Sequence, residues 1–467
     1  MDAPRSPDSR LPPAPLTSSW SGHLGAMLRL GLPLAGVQLA QMSINVTDTV
    51  MIGWLGPKPL AAAVLATQAF FLFWMFGSGF AQAVMPVAAH AAGRGDVRGV
   101  RRSVRMGLWV ILAYGALAMV PLWNLEAILL ALGQDAEVAA LAGAFTHVLQ
   151  WSMFPALVIA GLRSYLSVLD RAHIVLGVTL FGALVNALGD YALIFGHFGL
   201  PALGMQGAAV ASVVTNLAMC AILFAYTALS PQLKPYELYV RFWRPDWPAF
   251  FDVLRLGWPI STTIIAEVGL FAAASIMMGW LGAIALAAHG IALQLASIAF
   301  MVPLGLSNAA TVRVGRAHGA QDWRGLGRAA HTGLALAVAI AVLGALLFFV
   351  APTGLIGLYL DGRDPDAAAV LAIGVPLLAV AAAFQVFDAV QVMAAGLLRG
   401  IRDTRVPMLM AVFSYWAVGM PVAYVLGFVF DFGGPGVWAG LASGLFLAAL
   451  LMTQRFHRRV ALGLTAG

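Results

Sequence analysis

The sequence predicts an all-α polytopic membrane protein, twelve transmembrane helices arranged as two parallel six-helix repeats, and three observations carry that prediction. Of 467 residues, 61% are hydrophobic and only 10% charged, with a mean hydropathy of +0.88, well outside the range of soluble globular chains. Apolar stretches of about twenty residues or more recur along the chain, each long enough to cross a hydrocarbon core of about 30 Å as a helix. The second half of the chain also repeats the first.

Taken in order, the first span covers about 29–55, interrupted by Pro33 and dotted with polar residues, and the second 60–90, with the aromatic run "FFLFWMF" at 70–76. The basic segment "RGDVRGVRRSVR" at 94–105 separates the second from the third, 104–124. The fourth, fifth and sixth lie near 138–162, 174–198 and 206–229. A polar linker, "LSPQLKPYELYVRFWRPDW" at 229–247, precedes the seventh, 252–281, which carries Pro259. The rest lie near 286–312, 328–350, 367–396, 407–429 and 435–454. The period-two alternation of a transmembrane barrel is missing.

Charge placement sets the topology. Of the 26 Lys and Arg, all but Lys58 and Arg363 fall in the two tails or in the loops after even-numbered spans, so the positive-inside rule puts both termini in the cytoplasm. This explains the net charge of +6 by topology and contact with anionic lipid, without nucleic acid. The first 24 residues hold Asp2, Asp8 and several prolines before any apolar run, the wrong order for a secretory signal. They read as a disordered cytoplasmic tail (1–24), followed by an N-lobe (25–229), a cytoplasmic linker (230–250), a C-lobe (251–456) and a C-terminal tail (457–467). The lone Cys220 excludes an intramolecular disulfide and a cysteine-based metal site.

At an offset of 226 residues, "GLP" at 31 meets "GWP" at 257, "MIGWLG" at 51 meets "MMGWLG" at 277, Gln68 meets Gln294, and "GRGDVRGVRR" at 93 meets "GAQDWRGLGR" at 319, all without a gap. Further on, "SVLDR" at 167 resembles "GIRDT" at 400, and "GMQGAAVA" at 204 resembles "GGPGVWAG" at 433. Six spans per half is an even number, so both halves enter from the same side and the repeat is parallel. Pro33 and Pro259 occupy equivalent places. Each frees backbone groups and permits a bend, which makes the pair hinge candidates.

Four carboxylates fall at membrane depth: Asp48, Asp190, Glu267 and Asp388. A charge at a helix centre costs about 2.5–3.5 kcal/mol on insertion scales, so each should face water, hold a proton or hold a cation. No buried Lys or Arg is expected to pair with them. Asn186 and Asp190 are four apart and share a helical face, as do Asn45 and Asp48 at three. Ser212 and Thr215 add hydroxyls in the sixth span. Gln385 and Gln391 flank Asp388 at spacing three, a second polar stripe suited to an organic cation or a proton. Under the repeat, Glu267 aligns with Gln41 and Asp48 with Ala274. Positions 41 and 48 lie on nearly one face about 10 Å apart in depth, so Asp48 and Glu267 should sit at different depths. His90 and His289 read as satisfied helix residues.

Across residues 25 to 456 the chain resembles the multidrug and toxic compound extrusion (MATE) family, especially its NorM-like bacterial branch. The carrying motifs are "VTDTVMIGWLG", "AEVGLFAA" around Glu267, "FQVFDAVQVMAAGLLRGIRDT" at 384–404, and the Gly-rich start of the sixth helix. The resemblance implies a MATE/MOP-type fold and export of cationic or amphipathic drugs in exchange for Na+ or H+. It implies that Asp48, Asn186 and Asp190 form the N-lobe cation or proton cluster, the sodium site if sodium couples, with Asn45 and Ser212 as further candidates and Ser212 standing for a threonine of some members. It assigns Glu267 and Asp388, with Gln385 and Gln391, to coupling ion or substrate in the C-lobe. The expected partners are small organic cations and the lipid bilayer, with no cofactor beyond the coupling ion. The expected place is the cell inner membrane, the chain working as a monomer. A lipid-linked saccharide flippase of the same superfamily is the alternative, but it calls for cavity arginines to meet a pyrophosphate. No nucleophile elbow, P-loop or His-rich metal motif suggests an enzyme.

Overall fold

The computed structural model describes residues 19–360 and 365–466; most of the expected N-terminal tail, and Arg363, lie outside them. Twelve long helices follow in chain order: α1 Trp20–Gly53, α2 Pro57–Gly93, α3 Val97–Trp123, α4 Ala136–Val168, α5 Ala172–Phe195, α6 Met205–Leu229, α7 Trp247–Trp280, α8 Ala283–Gly319, α9 Trp323–Val350, α10 Ala367–Gly400, α11 Arg405–Val429 and α12 Gly433–His457. No strand occurs among the described residues. Eleven of the helices are long and apolar enough to span a membrane. The twelfth, α1, is as long as α7, but Gln38, Gln41, Asn45 and Asp48 lower its mean hydropathy.

The backbone repeats as the residues do. Gly56 and Gly282 precede α2 and α8 with φ of 113° and 114°, a region closed to side chains. Asp96 and Asp322 cap α3 and α9, each accepting from the N–H three residues on at 2.8 Å. After α4 and α10 the backbone corrects the sequence alignment by one residue. Asp170 and Arg402 share the left-handed conformation, and the N–H groups of Arg171 and Asp403 close equivalent turns onto Leu166 and Leu398. The equivalence there is 170 with 402, not 170 with 403, because a hydrogen-bonded turn fixes register more tightly than a short identity.

The chain forms two compact units. One is Gly36–Ser261; the other joins the start of α1, through Ala35, to Thr262–Gly467. Both crossings lie inside helices, within three residues of Pro33 and Pro259. In the first unit α2 packs on α3 and α4, and α5 runs along α6. In the second, α10 is the central helix, packed on α8, α9 and α12. Small residues permit these approaches, since lipid supplies no hydrophobic drive between helices. A Cβ at Gly207 would meet the Leu193 carbonyl of α5 at 2.4 Å, and one at Gly436 the Leu426 backbone of α11 at 2.6 Å.

The linker is strapped to α3. Arg101 pairs with Glu237 and Arg102 with Asp246, while Arg105 Nη1 and Trp109 Nε1 donate to the carbonyls of Arg241 and Phe242, each at 3.1 Å. Leu233, Tyr236 and Leu238 are buried beneath it. The Arg102 guanidinium holds the Asp246 carboxyl below the ordinary carboxylate range. A depressed folded-state pKa gives stability that is present above the ordinary value and lost as pH falls through the folded one. The strap should therefore loosen only below about pH 4, by no more than about 1 kcal/mol for so exposed a pair. A spin label in the linker should gain mobility over that window in the wild type and lack the transition in Asp246→Asn.

Candidate functional site

Three helices of the first unit bring the N-lobe cluster together. α5 places Asn186 and Asp190 one turn apart on its inner face, both fully buried, and α6 adds buried Ser212 and Thr215. α1 supplies the half-buried Asp48. Ser212 Oγ donates to Asp48 Oδ2 at 3.2 Å, and Asp190 and Asn186 are the other side chains that act on the Asp48 carboxyl. Two ionised carboxylates facing each other are acceptor against acceptor, so nothing bonds them until a proton or a cation arrives. Asp48 Oδ1, both Asp190 oxygens, both polar atoms of the Asn186 amide and Thr215 Oγ1 accordingly make no hydrogen bond. Each such buried group costs roughly 1–3 kcal/mol, and more when charged. Two carboxylates with amide and hydroxyl oxygens suit a hard cation such as Na+ or a shared proton. No group of three or more His, Cys, Asp and Glu gathers among the described residues. Asn45 stands apart: it is exposed, and its carbonyl accepts from Thr49 Oγ1 at 2.8 Å.

The second unit holds the C-lobe acids. Glu267 on α7 is half-buried, while Gln385, Asp388 and Gln391 on α10 are buried. The charges of Glu267 and Asp388 act on each other. Gln385 is committed to α9, donating to the Ala341 carbonyl at 3.2 Å, whereas Asp388 Oδ1 and Gln391 Oε1 make no hydrogen bond. His289 is satisfied, as its sequence context suggests: Trp438 Nε1 donates to Nδ1 at 3.0 Å, leaving Nε2–H to face Ser275 Oγ at 2.9 Å.

Two arginines are drawn into the polar interior of these helices. Arg163, 7% exposed on α4, donates to Gln38 Oε1 at 2.9 Å and Gln41 Oε1 at 3.5 Å. Arg399 at the end of α10 acts electrostatically on Glu267. Both sit near helix ends that the charge pattern reads as topogenic, yet a long side chain can carry its charge well inward from its Cα.

A family model described as MatE matches residues 33–192 and 259–425, two stretches that begin at the equivalent prolines. A probable multidrug resistance protein NorM of Rhizobium meliloti is 54% identical, with 94% of each chain covered. The protein of the same description from Agrobacterium fabrum is 51% identical over 94% of this chain and 95% of its own length. A crystal structure of a eukaryotic MATE transporter superposes with a TM-score of 0.84 over 96% of this chain and 100% of that one, at 19% identity. A MOP superfamily transporter from Pyrococcus furiosus gives 0.84 over 94% and 96%, at 20% identity. These two share the fold.

Proposed function

The chain belongs to the MatE family of membrane transporters and is not an enzyme, and from that premise we propose that it exports cationic or amphipathic organic compounds in exchange for Na+ or H+. Its multidrug relatives support the substrate class. The observation that carries the antiport reading is the N-lobe cluster, in which Asp48 Oδ1, both Asp190 oxygens, the Asn186 amide and Thr215 Oγ1 have no protein partner to satisfy them. An ion or proton taken up there removes one of the two negative charges of the Asp48–Asp190 pair. Substrate then leaves, the ion-loaded lobes exchange access, the ion is released and drug rebinds. Coupling arises from differential affinity: a carboxyl pair with one charge fewer attracts a cation less, so ion and drug exclude one another without touching. In a one-for-one exchange of monovalent cations the voltage cancels, and a tenfold ion gradient supports about tenfold accumulation.

The proposed setting is the inner membrane, with both termini cytoplasmic, as a monomer and without nucleic acid. Arg163 does not favour an anionic lipid-linked cargo, because Gln38 and Gln41 engage its guanidinium. In proteoliposomes at clamped voltage, efflux of a fluorescent cation should follow a sodium gradient or a proton gradient imposed separately. Lipid scrambling without dye efflux would instead establish the flippase. Glu267→Gln should raise the apparent KM for a monovalent cation about tenfold while leaving a neutral substrate within twofold; equal losses for both would mean that Glu267 carries the coupling ion rather than attracting cargo.

A further inference from the structure

Gln38 and Gln41 are one turn apart on α1 and share a face of that helix. Both are half-buried. Arg163 reaches them from α4, its Nη1 donating to Gln38 Oε1 at 2.9 Å and to Gln41 Oε1 at 3.5 Å. All three residues belong to the first unit.

What this cluster lacks is a negative charge. Arg163 is buried, and among the described residues no carboxylate pairs with it. A buried charge is costly unless an opposite charge compensates it. The repeat shows that an acid can stand here, since position 41 aligns with Glu267, yet this half keeps an amide. The hydrogen-bonding atoms left over are also of one kind. A guanidinium only donates, so the glutamine atoms that meet it have to be the oxygens. Both acceptors are thereby turned onto the arginine, which leaves the two amide NH2 groups and Arg163 Nε and Nη2 as donors. Nε and Nη2 form the edge that grips both oxygens of a carboxylate, as the same two atoms of Arg102 do on Asp246. In Arg163 that edge makes no hydrogen bond among the described residues.

We propose that Arg163, Gln38 and Gln41 form an anion subsite of the N-lobe, which takes the carboxylate of a zwitterionic organic compound. One guanidinium, already partly engaged, matches a single negative charge and not the two or more of a pyrophosphate. A halide offers the same charge without the two oxygens, and is the other source of a monovalent anion. The subsite extends the cargo from cations to molecules that carry a carboxylate beside the cation. It rests on the reading that the chain binds organic cations.

The test is equilibrium binding, by fluorescence polarisation in chloride-free buffer, of rhodamine B and its ethyl ester to the purified full chain. The two dyes share the cation, and only rhodamine B has the carboxylate. Arg163→Gln should weaken rhodamine B about tenfold and leave the ester within about twofold. Gln38→Glu keeps the arginine but supplies a resident carboxylate, so it should also weaken rhodamine B and not the ester; it decides the matter if Arg163→Gln does not fold. Chloride replacing isethionate at constant ionic strength separates the two sources: displacement of rhodamine B but not of the ester from the wild type shows a halide competing for the same edge. If both dyes bind the variants as they bind the wild type, or weaken equally, Arg163 only ties α4 to α1 and the proposal is overturned. If neither dye binds the wild type, the reading of cation export fails instead. The subsite then stands if chloride raises the melting temperature of the wild type but not of Arg163→Gln, and falls if it does not.

Discussion

Asp48→Asn should reduce uphill, gradient-driven efflux of an organic cation to the protein-free baseline while downhill movement of the same dye survives. The loss is at least about tenfold, because a tenfold gradient worth about 1.4 kcal/mol no longer reaches the cargo. The physical reason lies in what the new amide would do. Its NH2 group could donate to the orphaned Asp190 oxygens permanently, as a protonated Asp48 does only when loaded. The variant therefore imitates the loaded cluster and has no ion to take up or release. A ligand shifts a conformational equilibrium only by its differential affinity for the two states, and here that difference disappears. Uphill efflux at the wild-type rate in Asp48→Asn would show that the N-lobe cluster does not couple.

Gly440→Val should have the second large effect, on folding rather than on chemistry. A Cβ at Gly440 would lie 2.2 Å from the backbone N and Cα of Ala423 on α11, and a collision with backbone cannot be relieved by a rotamer change. Gly436, Gly440 and Gly444 form a stripe at spacing four along α12 that sets how closely α11 approaches. Overpacking of this kind costs about 1–3 kcal/mol where side chains can yield and more where they cannot. We expect a sharp loss of monodisperse protein on solubilisation and a lowered melting temperature in the fraction recovered. Full yield with wild-type binding would mean that α11 and α12 separate without penalty.

The parts of this molecule that were legible beforehand are those written in spacing. Twelve helices, the prolines at 33 and 259, and the shared face of Asn186 and Asp190 all follow from periodicity or from residues of one type at fixed offsets. Ser212 is a clear case, since a hydroxyl one turn from Thr215 in an otherwise apolar helix proved to reach Asp48. Other features depend on where a long side chain goes after it leaves its helix. Arg163 and Arg399 belong by sequence to cytoplasmic helix ends, and only packing decides that one meets Gln38 and Gln41 while the other acts on Glu267. The π-helical turns of α11, Phe413–Gly419 and Val425–Val429, have no signature either. An apolar run of that length is compatible with any helical winding, and the close contact with the α12 glycines is a tertiary fact.

The central claim, that cargo and coupling ion exclude one another through the Asp48–Asp190 cluster, is tested most directly by measuring the ion itself. Drug added to the purified protein in weakly buffered, detergent solution should release protons, or should displace radioactive sodium from a pre-equilibrated sample. The account predicts such release on adding tetraphenylphosphonium to the wild type and its disappearance in Asp48→Asn. No release of either ion from the wild type, or undiminished release from the variant, would contradict it.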